Sequence, residues 1–199
     1  MTETTGFRYK PTVKKNCLAP HMPHTTPPQY QEVFEDPELP TDHAPADADP
    51  GIGYIFEHTA GHKCLVFCNS REECEVVTAT LRQYCEKNNE PDRFLIHHGN
   101  LSASLRETAE SDMRDDSLFL TTCTTATLEL GIDIGRLERA FQIDAPFTVS
   151  SFLQRMGRTG RRGSPPEMWF VIREEMALPT APLPQLIPWK LLQAISLVQ

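Results

Sequence analysis

The chain has 199 residues, 39% of them hydrophobic, and a formal net charge of −8 from 19 basic and 27 acidic residues. This length suits one ordinary domain with tails. The acidic balance excludes a purely electrostatic, histone-like nucleic-acid binder, but not a local basic groove. No apolar run approaches the roughly 20 residues of a membrane span, and no signal-peptide pattern is present. Six cysteines without CxxC or zinc-type spacing fit a reducing environment, so a cytoplasmic protein is expected.

Residues 1–50 hold 9 of the 17 prolines, and their eight acidic residues face four basic ones. Residues 1–48 therefore read as a Pro-rich acidic segment, extended or irregular, ordered only where it packs on something. Asp49-Pro50 is a helix start, with Ile52, Ile55 and Phe56 on one side and Gly61 at the end. Cys64–Cys68 is a continuous apolar run typical of a strand buried on both faces. Ser70 caps the next helix, with Glu73 in capping-box position and an apolar stripe of Cys74, Val77, Leu81 and Tyr84. Phe94–His97 is a second strand, and Ser102 caps a helix whose face includes Leu105, Ala109 and Met113.

Ser117–Thr122 reads as a third strand, 125–130 as a short helix or tight turn, and Ala140–Ile143 as a fourth strand. A helix over 149–156 and a last strand over Met168–Ile172 follow. Four further prolines mark a linker before an amphipathic helix that begins near Pro188, which reads as the start of a following segment. The alternation predicts an α/β fold, a parallel sheet with helices on both faces. The domain is placed at 49–176, with a linker and helical segment over 177–199. Ligands on such sheets gather beyond the strand C-termini, where the loops at 69–71, 98–102, 122–135 and 157–163 would converge.

The most distinctive stretch is Gln154-Arg155-Met156-Gly157-Arg158-Thr159-Gly160-Arg161, with three arginines in eight residues and a fourth, Arg162, directly after them. Arginine presents a rigid fork of donors that matches phosphate oxygens, and glycines between the arginines let the backbone turn and approach a ligand. A solvated basic loop is the competing reading. The stretch resembles motif VI of superfamily 2 helicases, Q/H-R-x-G-R-x-G-R. Upstream, Thr124–Gly135 resembles motif V and Leu65–Arg71 resembles motif IV, in the order of that family. TxTLELGIDIG between HHGxLS and SFLQRxGRxGR looks most like the large helicase-related (Lhr) branch of DEAD/DEAH-box proteins. The resemblance covers about residues 60 to 175 and implies the second RecA-like domain of an ATP-dependent helicase.

The resemblance implies that Arg158 and Arg161 face the ATP γ-phosphate, with Arg161 the finger, and that Gln154 contacts the nucleotide or its attacking water. A finger stabilises the charge that spreads over the departing phosphoryl oxygens. Arg155 is open between that role and pairing with a carboxylate. Gly131 would let the backbone approach the nucleotide, and Asp133 would accept from a ribose hydroxyl or act as a cap. Asn69, Ser70, Arg71, Gly99, Thr125 and Thr127 would line a nucleic-acid groove, with ordinary capping the competitor at Ser70 and the threonines. His98-Gly99-Asn100 and Arg106 resemble motif IVa, although Asn100 and Ala103 depart from its usual Asp and Gln.

No GxxxxGK[ST] loop and no DEAD/DEAH-type box occurs in the 199 residues. The reading implies that ATP and its Mg²⁺ are held by a first RecA-like domain and that the other partner is single-stranded DNA or RNA. A stand-alone nucleic-acid-binding or protein-interaction module is the alternative. His97-His98 lacks a third ligand at recognisable spacing, so no metal site is expected.

Overall fold

A computed structural model of the chain describes residues 4–9, 45, 47–129, 134–135, 137–160, 166–175 and 180–199, with 4–9 and Glu175 described by backbone alone. The strands are β1 (Thr4–Tyr9), β2 (Cys64–Phe67), β3 (Phe94–His97), β4 (Thr121–Thr124), β5 (Arg139–Ile143) and β6 (Met168–Glu175). The helices are α1 (Pro50–His58), α2 (Arg71–Asn88), α3 (Ala103–Arg114), α4 (Val149–Met156), α5 (Leu183–Leu186) and α6 (Trp189–Val198). A 3₁₀ turn covers Ala126–Leu128.

The strands lie in the order β1-β6-β5-β2-β4-β3, parallel from β6 to β3. This is the expected parallel sheet with helices on both faces. Side chains alternate along β2, as the pleat requires. Cys64, Val66 and Cys68 enter a core with Ile52, Ile55 and Phe56 of α1 and Val77 and Leu81 of α2. Leu65 and Phe67 enter the opposite core, with Met113 of α3, Phe152 of α4 and Ala194 of α6. Trp169 and Val171 of β6 face the first core, Met168, Phe170 and Ile172 the second.

Local chemistry sets the helix starts. Asp49 Oδ1 accepts from the N–H groups of Gly51 and Ile52, both at 3.0 Å, and Ser70 Oγ accepts from Glu73 N–H at 3.0 Å. Ser102 Oγ accepts more weakly from Leu105 N–H at 3.4 Å. Gly51 lets α1 lie close on β6, since a Cβ there would stand 2.9 Å from Val171 Cγ1.

Two readings need correction. The third strand begins at Thr121, not Ser117, because Asp115 organises a turn instead. Its carboxylate accepts from Ser117 N–H at 2.9 Å and from the Ser117 hydroxyl at 2.6 Å. Leu118 and Phe119 are left exposed, while Thr121, Thr122 and Thr124 are buried between β2 and β3. The last strand runs to Glu175, beyond Ile172. Its edge is a template for pairing, and Thr4–Tyr9 takes it antiparallel, in a segment expected to be extended or irregular and ordered where it packs.

Burial fixes the chemistry of the thiols. Desolvation pushes Cys64 and Cys123 up to about 12, so only about one in ten thousand of either is thiolate at pH 8. Maleimide at about pH 8 should leave both unmodified in the folded chain, and modify them once denaturant is added. Peptide mapping by mass spectrometry checks this. Rapid native labelling of either would contradict the buried sheet.

Candidate functional site

The described residues singled out from sequence lie beyond the C-terminal ends of the strands. Helix α4 carries Gln154, Arg155 and Met156 of the arginine stretch there. Thr148 caps it, its hydroxyl accepting from Ser151 N–H at 3.1 Å. Phe152 and Arg155 lie three apart and so share a face, the face that turns inward. Phe152 packs on Phe170 with ring centroids 5.9 Å apart.

Arg155 enters the interior with three side-chain partners. Its Nε donates to Glu129 Oε1 at 2.7 Å, and its Nη1 donates to Gln142 Oε1 at 2.6 Å and Asn69 Oδ1 at 3.3 Å. The guanidinium also lies 5.1 Å from the centre of the Phe67 ring. The side chains of Arg155 and Glu129 are only 5% and 8% exposed. Of the two roles open for Arg155, pairing with a carboxylate is the one present.

Glu129 holds a second arginine through its backbone. Gly157 ends α4, and the Arg158 side chain folds back so that its Nε donates to the Glu129 carbonyl at 3.0 Å, with Nη2 also donating to it. The following loop is pinned at both ends by Thr159. Its hydroxyl lies 3.1 Å from the Met156 carbonyl and 3.3 Å from the Glu167 carbonyl, and accepts from Glu167 N–H at 3.0 Å. Gly160 has φ +76°, a left-handed turn that glycine adopts without strain. Gln154 is half-buried and its amide reaches Ser150 Oγ at 3.4 Å. Arg161, Gly131 and Asp133 lie outside the described residues.

The expected nucleic-acid residues fall in two groups. Asn69 follows β2, but its amide is turned inward. Nδ2 donates to the Ala145 carbonyl at 2.9 Å, and its oxygen receives Arg155. Ser70 is the α2 cap, while Arg71 projects half-exposed with Glu72 at 3.8 Å. Across β4, Thr127 lies under the β3 end. Its hydroxyl is 3.1 Å from His97 Nδ1, and a Cβ on Gly99 would stand 3.8 Å from its methyl. Thr125 precedes the 3₁₀ turn and makes no side-chain cap bond. Arg106 on α3 is partly buried, and among the described residues its Nε has no hydrogen-bond partner.

Sequence reasoning missed Glu129 and Gln142. Gln142 had a signal, a polar residue inside an otherwise apolar strand. Glu129 had none, because its partner Arg155 is 26 residues away. Removing one member of a buried ion pair leaves an uncompensated charge, at a cost of about 3–5 kcal/mol. Arg155→Met should therefore destabilise the chain by about that amount in urea unfolding, and Arg155→Met with Glu129→Leu should recover most of it. Equal loss in the single and double variants would contradict the pairing.

Comparison with known proteins bears on the fold and the family. Over 110 residues the chain is 36% identical to the ATP-dependent helicase Lhr-Core of Sulfolobus acidocaldarius, a match spanning 54% of this chain and 12% of that protein. Helicase Lhr of Mycobacterium smegmatis, solved bound to ssDNA and AMP-PNP, aligns with a TM-score of 0.53 at 32% identity, over 61% of this chain and 16% of that one. Domain 2 of the DEAD-box helicase Mss116p, solved on an RNA duplex, shares the fold with a TM-score of 0.53 at 19% identity, over 62% of this chain and 50% of that one. The chain thus spans about an eighth of the Lhr-Core relative's length. No helix among the described residues is long and apolar enough to cross a membrane. Residues 51–163 match the helicase conserved C-terminal domain, more than half of the chain, and with its five parallel RecA-like strands the protein belongs to that family, with Lhr helicases among its relatives.

Proposed function

We propose that this chain supplies the second RecA-like half of an ATP-dependent nucleic-acid helicase, acting in the cytoplasm. The observation that carries the reading is the seating of Arg158 on the Glu129 carbonyl, one step beyond a buried and neutralised Arg155. With Glu129 matched by Arg155, the motif offers the guanidinium forks of Arg158 and Arg161. That donor set suits phosphate oxygens.

In this reading Arg158 and Arg161 donate to the γ-phosphate of ATP, with Arg161 the finger. Gln154 orients the attacking water, Gly131 gives the nucleotide close backbone approach, and Asp133 accepts from its ribose. ATP, with Mg²⁺ held by a first RecA-like domain, supplies the free energy that closes and reopens the pair of domains. Ser70, Arg71, Gly99, Thr125 and Thr127 hold the backbone of a single strand of DNA or RNA. Asn69 serves the same groove indirectly, by fixing the β2 end that presents Arg71.

Losing an arginine finger costs roughly 10³–10⁵ in rate where such fingers are known, whereas a surface arginine changes stability by no more than about 0.5 kcal/mol. In a protein carrying both RecA-like domains, Arg158→Ala and Arg161→Ala should cut nucleic-acid-stimulated ATP turnover by orders of magnitude, Arg161 the more severely. Lysine should not rescue, because it lacks the planar fork. Near-normal turnover in Arg161→Ala would sink the finger assignment. This chain by itself, without a Walker A lysine, should release no phosphate from ATP above background.

A separate measurement addresses the groove. Arg71→Ala should lower the dependence of single-strand affinity on salt by about 0.7–1 logarithmic units, one phosphate contact. An unchanged slope removes Arg71 from the groove.

A further inference from the structure

His97 closes β3 and is 1% exposed. Its Nε2 lies 3.1 Å from Glu110 Oε1 on α3, and its Nδ1 lies 3.1 Å from Thr127 Oγ1 in the turn after β4. Thr127 Oγ1 lies a further 3.3 Å from Thr124 Oγ1 and 3.5 Å from the His97 carbonyl. The imidazole therefore bridges an acid on one element and a hydroxyl on another.

The proton bookkeeping of this chain of groups is restrictive. A carboxylate only accepts, so Nε2 carries a proton whether the ring is neutral or charged. In the neutral ring Nδ1 is then an acceptor, and it takes the single hydroxyl proton of Thr127. Thr127 now offers only lone pairs outward, and these repel a phosphate oxygen. When the ring gains a second proton, Nδ1–H donates to Thr127 Oγ1. The hydroxyl proton is released and can turn outward as a donor.

We propose that His97 is a proton-linked positioning residue, which decides whether Thr127 accepts or donates, so that binding of a nucleic-acid phosphate at Thr127 takes up a proton. One proton passes from solvent to Nδ1, the Thr127 O–H rotates, and no other bond forms or breaks. The proposal rests on the reading that Thr127 contacts phosphate. The phosphate adds its negative charge, on the Nδ1 side, to that of Glu110 on the Nε2 side, and both favour the charged ring.

The groups facing His97 are few. From α3, Glu110 meets Nε2, and Arg114 lies 3.5 Å from the other Glu110 oxygen. From β4 and its turn come, among the described residues, the hydroxyls of Thr124 and Thr127. On α2, Glu75 lies 3.2 Å from the neighbouring His98, and Arg82 reaches the carbonyl of Phe94 at the far end of β3. His98, the residue just after this strand, is the neighbouring histidine and makes a natural control.

The test measures binding of fluorescein-labelled oligo(dT) to the 199-residue chain, from about pH 5.5 to about pH 8.5, across the range in which imidazole titrates. Calorimetry in two buffers of different ionisation enthalpy counts the protons taken up. The parent should bind about tenfold more tightly at the acid end, the worth of one hydrogen bond to a charged group, with net proton uptake. His97→Asn, which places an amide near Nδ1 but cannot titrate, should lose the uptake attributable to this site, while His98→Asn keeps it. Thr127→Val should bind more weakly at acid pH and also lose the uptake. If Thr127→Val binds like the parent at every pH, the phosphate reading of Thr127 fails. If it binds more weakly but uptake is absent in the parent, or unchanged in His97→Asn, the proton switch fails by itself.

Discussion

Burying a guanidinium is tolerable only if nearly every donor finds a partner, and Arg155 imposes that demand on the whole C-terminal edge of the sheet. It draws Glu129 from the segment after β4, Gln142 from β5 and Asn69 from the end of β2 to one point. Those residues are separated by up to 86 positions in sequence. Helix α4 is thereby fixed in rotation as well as in place, because Ser151 Oγ also reaches Glu129 Oε2 at 3.3 Å. The position of Arg158 follows from that anchoring, since the carbonyl that holds it belongs to the residue whose side chain holds Arg155.

A second charged network braces the same edge from the other side. Glu73 of α2 takes Arg173 of β6, which also reaches Asp144 Oδ2 at 3.2 Å, and Lys190 of α6 meets that same oxygen at 3.1 Å. Asp144 sits at φ +52°, a conformation that side-chain bonding of this kind helps to hold. Glu73 also accepts from Asn69 N–H at 2.8 Å. Asn69 therefore lies between the two networks, which explains why its amide faces inward. Preorganisation of this kind matters because arginines that act on a developing charge must already be in position.

The parallel sheet was legible because its strands are short apolar runs and its helices carry explicit caps at Asp49, Ser70, Ser102 and Thr148. Helix α4 was legible to the residue, over 149–156. The β4 boundary was not, because Thr121–Thr124 looks polar, while Leu118 and Phe119 look like core. What decides there is the turn made by Asp115, a local competition between side chain and backbone. The pairing of Thr4–Tyr9 with β6 was hidden for a different reason, being a contact across more than 160 residues. At the site, the arginine stretch was visible by its composition. Its anchor was not, because no spacing rule connects Glu129 to Arg155 or His97 to Glu110 and Thr127.

Two arginines three residues apart thus have different surroundings: Arg155 is buried on the Glu129 carboxylate, while Arg158, seated on the Glu129 carbonyl, is the one proposed to reach the nucleotide. The most direct measurement is a structure of the protein carrying both RecA-like domains with a transition-state analogue of ATP hydrolysis. The account predicts that Arg155 remains on Glu129, Gln142 and Asn69 while the Arg158 guanidinium leaves the Glu129 carbonyl for a phosphoryl oxygen. Arg155 on the nucleotide, or Arg158 still on that carbonyl with the analogue bound, would contradict it.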